Sequence, residues 1–271
     1  MAGKLEKMAV ALDSPVRYAL RVGDEEIPLN PLLGKEFTLA FTGEIRCMSC
    51  DRRTNKSFGQ GYCFPCFRTL ARCDMCVVRP EQCHYAAGTC REPEWGDAHC
   101  NIPHFVYLAN SSGAKVGITR HTQLPTRWID QGAVQALPIF EVKSRYHSGL
   151  VEVAFKEHVA DKTDWRKMLK GDVEAIDLPA LRDELVAAAA PALEALSQRL
   201  GGDALRPLPG ADVVSIAYPV LEHPQKVKSM SFDKTPRVGG TLMGIKGQYL
   251  LFDAGVINLR NFRGYEVELE A

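Results

Sequence analysis

All nine cysteines of this 271-residue chain fall between Cys47 and Cys100, and none lies elsewhere. An odd number cannot all pair within one chain, and a disulfide framework is normally spread through a short secreted sequence. A dense block of thiols in an otherwise ordinary chain points to metal and to a reducing cytoplasm. The composition, 46% hydrophobic and 24% charged, is globular and supports one large or two to three smaller domains. The 33 basic and 33 acidic side chains cancel. That balance excludes a uniformly cationic nucleic-acid coat and leaves local basic faces open. No apolar run approaches the ~20 residues that span a bilayer. The stretch Met1 to Leu12 carries lysines without a continuous apolar core or a small-residue cleavage site, so no membrane partner and a cytoplasmic location are expected.

Cys47-x2-Cys50, twelve residues, then Cys63-x2-Cys66 is the spacing of a zinc ribbon. Each pair sits on a tight knuckle that aims two thiolates at one ion, and two knuckles complete a tetrahedron. Gly59-Gln60-Gly61 supplies turn flexibility before the second pair. The next group is Cys73-x2-Cys76, then Cys83, Cys90 and Cys100, with His84, His99 and His104 nearby. Cys73 and Cys76 read as a third knuckle. Its two further ligands come from three cysteines and three histidines, with Cys90 and Cys100 favoured and Cys83 next. Four protein ligands fill a tetrahedral site, so about two structural Zn²⁺ ions per chain are expected.

Residues 1–46 alternate apolar and polar side chains (Tyr18, Leu20, Val22; Phe37, Leu39, Phe41) between turns, as antiparallel strands do. The cysteine-rich region occupies 47–103 and an α/β unit 104–170. A helical linker follows over 171–211, rich in alanine and leucine and interrupted at Pro191. The C-terminal region, 212–271, reads as β structure again, with strands expected over Val213 to Val220, Val227 to Phe232, Thr241 to Ile245, Gln248 to Phe252, Val256 to Arg260 and Tyr265 to Leu269. The two terminal β regions are expected to pair, with the zinc region and the α/β unit inserted between them. From His223 to Gly264, seven lysines and arginines, Lys246, Arg260 and Arg263 among them, face only Asp233 and Asp253. With Phe232, Tyr249, Phe252 and Phe262 they would suit single-stranded nucleic acid, whose bases stack on aromatics. The competing assignment puts these aromatics in the core and the lysines in water.

From His104 to Val159 the residues run Phe105-Val106-Tyr107-Leu108, a polar turn from Asn110 to Gly113, then Lys115-Val116-Gly117-Ile118-Thr119-Arg120. Thr122 and Pro125 suit a helix start ahead of Arg127-Trp128. A strand over Leu137 to Val142 follows. A helix beginning near Ser148 then carries Leu150-Val151-Glu152-Val153-Ala154-Phe155. This ββαβα order and these residues resemble the GIY-YIG nuclease superfamily, in the branch whose second motif reads Lys-(Ile/Val)-Gly.

The resemblance implies that Tyr107 ends the first motif and that Val116-Gly117 close the second. It further implies that Glu152 holds a divalent ion (Mg²⁺ or Mn²⁺), that Arg127 contacts phosphate and that Tyr107 helps activate water. Lys115 stands where most of the superfamily has its second tyrosine, and Phe105-Val106 replace Gly-Ile. Lys115 can lower the pKa of a neighbouring phenol, grip phosphate, or mark a module that binds without cutting. Over its whole length the chain is also similar to an uncharacterised bacterial family with a cysteine-rich zinc region, a domain of unknown function. Runs such as Thr126-Arg127-Trp128-Ile129-Asp130-Gln131-Gly132-Ala133 and Gly244-Ile245-Lys246-Gly247-Gln248-Tyr249 carry that similarity.

The chemistry is coherent on its own terms. Phosphodiester hydrolysis needs a metal, a cation for the developing charge and a positioned proton acceptor, and one carboxylate with substrate phosphates and waters can hold Mg²⁺. Lys115, Arg120 and His121 would add phosphate contacts. The expectation is an α+β protein with two zinc sites and a GIY-YIG-like unit that engages and cleaves DNA or RNA. A nucleic-acid binder that does not cut and a zinc-stabilised protein-interaction protein are the alternatives.

Overall fold

The computed structural model describes residues 2–159 and 163–270; positions 1, 160–162 and 271 of the expected regions lie outside it. β1 (Ala2–Lys4) precedes a three-stranded meander of β2 (Ala9–Ala11), β3 (Arg17–Val22) and β4 (Glu25–Pro28), after which β5 (Glu36–Arg46) leads to the short β6 (Arg53–Thr54). The cysteine-rich segment holds α1 (Phe64–Thr69), four single turns of 3-10 helix and α2 (Pro93–His99). Next come β7 (His104–Asn110), β8 (Ala114–Arg120), α3 (Thr126–Asp130), β9 (Gln135–Val142) and α4 (Arg145–Lys156). Three helices follow: α5 (Trp165–Lys170), α6 (Leu178–Ala188) and α7 (Ala190–Leu200), the last two divided just before Pro191. The chain ends with β10 (Leu205–Pro207), β11 (Val214–Ser215), β12 (Arg237–Lys246), β13 (Tyr249–Phe252), β14 (Gly255–Asn258) and β15 (Tyr265–Glu270).

The fold is α+β with antiparallel sheets. The largest runs β1-β15-β5-β12-β13-β14, with β6 on β5, so strands from the two ends of the chain lie side by side: Val267 pairs with Phe41, and Val238 with Leu39. The second runs β10-β9-β7-β8, with β11 on β9. The C-terminal pattern is thinner than its apolar residues predict. Of Val213 to Val220 only Val214–Ser215 is strand, and Val227 to Phe232 crosses as an irregular segment that anchors Phe232 in the core.

β7 is buried on both faces, and period-2 alternation sorts its side chains. Val106 and Leu108 join Val151 and Phe155 of α4 and Leu185 of α6, whereas Tyr107 and Ala109 join Leu39, Ile257 and the rest of the large-sheet core. The helices of 171–211 therefore cover a core. α4 starts at Ser144, whose hydroxyl accepts the His147 N–H, and Val151 and Phe155, four residues apart, share its inner face.

A polar clasp ties three segments of the large-sheet core. Gln248 is buried; its amide donates to Asp130 Oδ1 (2.9 Å) and the Met8 carbonyl (3.2 Å), and its oxygen accepts the Met8 N–H (2.8 Å). Beside it Tyr249 stacks on Trp165, ring centroids 5.8 Å apart.

Candidate functional site

Where β5 ends, the chain turns sharply through Cys47 to Asp51, with Asp51 in the left-handed region (φ 57°) and Cys47 N–H donating to the Arg52 carbonyl (2.9 Å). Met48 N–H donates to the Gly61 carbonyl (2.7 Å), which brings the second pair alongside. That pair departs from the expected ribbon. Cys63 stands at the N-cap position of α1 and Cys66 in its first turn, so a knuckle at a strand end faces a helix start.

The four sulfurs lie within 4.8 Å of one another, and Cys50 and Cys63 Sγ are 3.7 Å apart. A tetrahedron of ~2.3 Å Zn–S bonds has edges of about 3.8 Å, so Cys47, Cys50, Cys63 and Cys66 fit a metal such as zinc. Burial alone would raise the Cys47 thiol, but N–H groups of Cys50, Cys63 and Ser49 outweigh it and hold Cys47 below the usual thiol range. Cys66 is pushed up by burial and by hydrogen bonds from the other thiols of the cluster.

Cys73 and Cys76 do not share a knuckle. Cys73 ends one 3-10 turn and packs with Cys47, Tyr62 and Cys63; Asp74 then caps a second turn that carries Cys76 away. Cys76, Cys83, Cys90 and Cys100 instead line one cavity of about 20 Å³. Burial, followed by the nearby Asp74, Cys83, Cys100 and Cys90, pushes the Cys76 thiol up to about 11.

Between the cysteine-rich segment, β8 and the turn after β14 opens a cleft of about 830 Å³. Lys115, Arg120, Arg127, Glu152, Arg260 and Arg263, drawn from sequence positions 148 residues apart, all line it. Lys7, Arg21, Arg72 and Arg145 line it too and escaped the sequence reading, although Arg145 precedes Glu152 by seven residues, two helical turns on one face. Among the described residues nine basic and four acidic side chains line the cleft. Each acid has a cationic partner: Glu6 with Arg21 (2.9 Å), Asp130 with Lys7 (2.9 Å), Asp74 with Arg91 (2.6 Å) and Glu152 with Lys156 (3.5 Å). Burial lowers the pKa of Arg145, to which Arg127 and Arg120 add repulsion, and of Arg260, to which Arg127 and Arg263 add theirs. Guanidinium stays charged in proteins, so these crowded cations favour an anion between them.

Tyr107 lies one layer behind the cleft. It is fully buried, and its hydroxyl donates to Gln131 Oε1 (3.2 Å), Gln131 itself being a cleft residue. Burial raises the phenol, against the pull of Arg127 and Gln131. Lys115 is 5% exposed and donates to Thr163 Oγ1 (2.5 Å). His121 is exposed, its Nδ1 3.1 Å from the Pro103 carbonyl, and does not line the cleft.

Lys246 is a correction. It is 3% exposed, packs 5.3 Å from the Tyr218 ring centroid, and burial brings it down to about 8, so it is no surface phosphate contact. For the aromatics the core assignment holds: Phe232, Phe252 and Phe262 are core residues, and Tyr249 is taken by Trp165. Their apolar rings gain more from burial than from solvent.

A family model described as a protein of unknown function (DUF2797) matches residues 34–267. No curated protein and no solved structure matches the chain. Among the described residues, no helix is long and apolar enough to cross a membrane.

Proposed function

The chain belongs to the DUF2797 family of proteins of unknown function, and on the strength of its cleft we propose that it binds nucleic acid and cleaves phosphodiesters with a divalent ion. The observation that carries this reading is the convergence of Arg120, Arg127, Arg260 and Arg263 on one cleft around Glu152. A phosphate backbone supplies the anions that such crowded guanidinium groups call for. The element order β7-β8-α3-β9-α4 and the meeting of Tyr107, Arg127 and Glu152 at one place support a GIY-YIG-like site.

In this reading Arg127 and Arg260 orient the phosphate, and Glu152 holds Mg²⁺ or Mn²⁺ together with substrate oxygens and water. The ion would polarise the phosphoryl group and stabilise the leaving oxygen. The Cys47, Cys50, Cys63 and Cys66 centre is structural: it fixes the turn whose Gln60 accepts from Arg260 Nε (2.8 Å) and so aims that arginine into the cleft.

One observation favours binding without cutting: the Tyr107 hydroxyl is enclosed, with no exposure to the water it would activate. Labelled single- and double-stranded DNA and RNA, incubated with wild type and Glu152→Ala, with and without Mg²⁺ or Mn²⁺, separate the readings. Ion-dependent cleavage by wild type alone supports the nuclease. Equal binding without cleavage by both leaves a binder, and cleavage that survives Glu152→Ala refutes the site.

A further inference from the structure

We propose that Cys76, Cys83, Cys90 and Cys100 hold a second zinc ion as a four-thiolate structural site from which Cys73 is excluded. These thiols come from four places, a 3-10 turn, the residue closing the next turn, the loop before α2 and the C-cap of α2, yet all four line one cavity. At about 20 Å³ it has room for a single ion and for no organic ligand.

The segment needs a cross-link. Among the described residues from 71 to 92, the regular structure consists of single 3-10 turns, and the apolar Met75 and Val78 are 59% and 76% exposed. With so little core of its own, such a segment takes its order from a bound ion. Four thiolates around Zn²⁺ carry a net charge of about −2, which must be balanced when partly buried. Arg145 and Arg120 both lie in the field of Cys100, and Arg91 holds Asp74 beside Cys76.

Among the described residues Asp74, Cys76 and His84 approach within 4.8 Å of one another, whereas the four thiols are spread more widely round the cavity. The polar atoms of Asp74 and His84 are already engaged: Asp74 with Arg91 (2.6 Å), and His84 with Thr89 Oγ1 through Nδ1 (2.8 Å) and with Asp74 through Nε2 (3.5 Å). Asp74 also accepts the Cys76 N–H (3.4 Å), so the pair orients a ligand instead of supplying two more.

Closing this loop has a consequence for the cleft. The Val77 carbonyl accepts from Arg145, and Pro80 packs so closely on α4 that a Cβ at Gly149 would lie 2.6 Å from its Cβ. The ion thus holds a wall of the cleft against the helix that carries Glu152.

The test is the metal content of the full chain. Wild type should contain about two zinc ions, Cys76→Ser, Cys83→Ser, Cys90→Ser and Cys100→Ser about one each, and Cys73→Ser and His84→Gln about two. Alkylation of native wild type, mapped by mass spectrometry, needs no folded variant. Cys73 should be modified first, and all the other thiols only after chelation. A wild type holding about one ion, an ion lost from Cys73→Ser or His84→Gln, or any of the four thiols reacting as fast as Cys73 would overturn the assignment.

Discussion

Tyr107 and Gly117 stand directly opposite each other on adjacent antiparallel strands, and a Cβ at Gly117 would lie 2.7 Å from the Tyr107 hydroxyl. The phenol occupies the space that any other residue at 117 would fill. Gly117 is therefore what leaves room for the tyrosine behind the cleft. Gly117→Ala should destabilise the fold by about 1–3 kcal/mol through overpacking and push Tyr107 off Gln131. Denaturant unfolding reads the first effect. An unchanged midpoint would show that the contact yields freely.

The four-cysteine centre is expected to hold the strand-end turn to α1. Cys47 and Cys63 are 0% and 2% exposed, so a chelated site leaves buried thiols without their shared partner. Cys63→Ser should lose about one zinc ion and several kcal/mol of stability, since metal affinity at such a site is folding energy. Metal analysis and thermal unfolding check both. Full zinc content in the variant would contradict the assignment.

Gln248 ties three segments together through side-chain hydrogen bonds to Met8 and Asp130. Gln248→Ala strands the buried Met8 backbone groups, at a cost of about 2–4 kcal/mol, and Gln248→Glu restores only the acceptor half of the clasp. Unfolding free energies should rank wild type above Gln248→Glu, and that above the alanine variant. Indistinguishable midpoints would remove the clasp from the account.

His104 gives a pH dependence with a definite sign. Its ring is fully buried, and burial first, then the charges of Arg145, Arg120 and His121, bring it from 6.5 down to about 4. Between those values the unfolded chain binds a proton that the folded chain refuses. Stability therefore falls as pH drops from about 6.5 to about 4, by up to roughly 3 kcal/mol. Zinc release also follows acidification, so the comparison is wild type against His104→Asn at each pH. The variant should show the shallower decline, and parallel curves would refute it.

The parts of the molecule legible in the sequence are those whose signal is local. The spacing of Cys47, Cys50, Cys63 and Cys66 fixes a cluster because each pair is brought together by its own turn. Alternation along β5 and β7 places Leu39, Val106 and Tyr107 in cores. The same local logic misleads at Cys73 and Cys76, where two residues of intervening chain hold a turn boundary at Asp74 that sends the thiols to different environments. Lys246 ends β12 in a run of buried residues, so its charge suggested a surface that the sheet covers. The cleft itself was only half visible. Arg127 and Glu152 could be read from element order. Lys7, Arg21 and Arg72 join them only through the pairing of the chain's two ends and the docking of the cysteine-rich segment.

The most direct measurement of the central claim is the affinity of labelled DNA and RNA oligonucleotides for wild type, Arg127→Ala and Arg260→Ala over rising salt. If the cleft grips a phosphate backbone, log affinity falls linearly with log salt for wild type. Each alanine variant then binds more weakly with a slope shallower by about 1. Absence of binding by wild type, or variants that keep its affinity and slope, would contradict a nucleic-acid cleft at Arg127, Glu152 and Arg260.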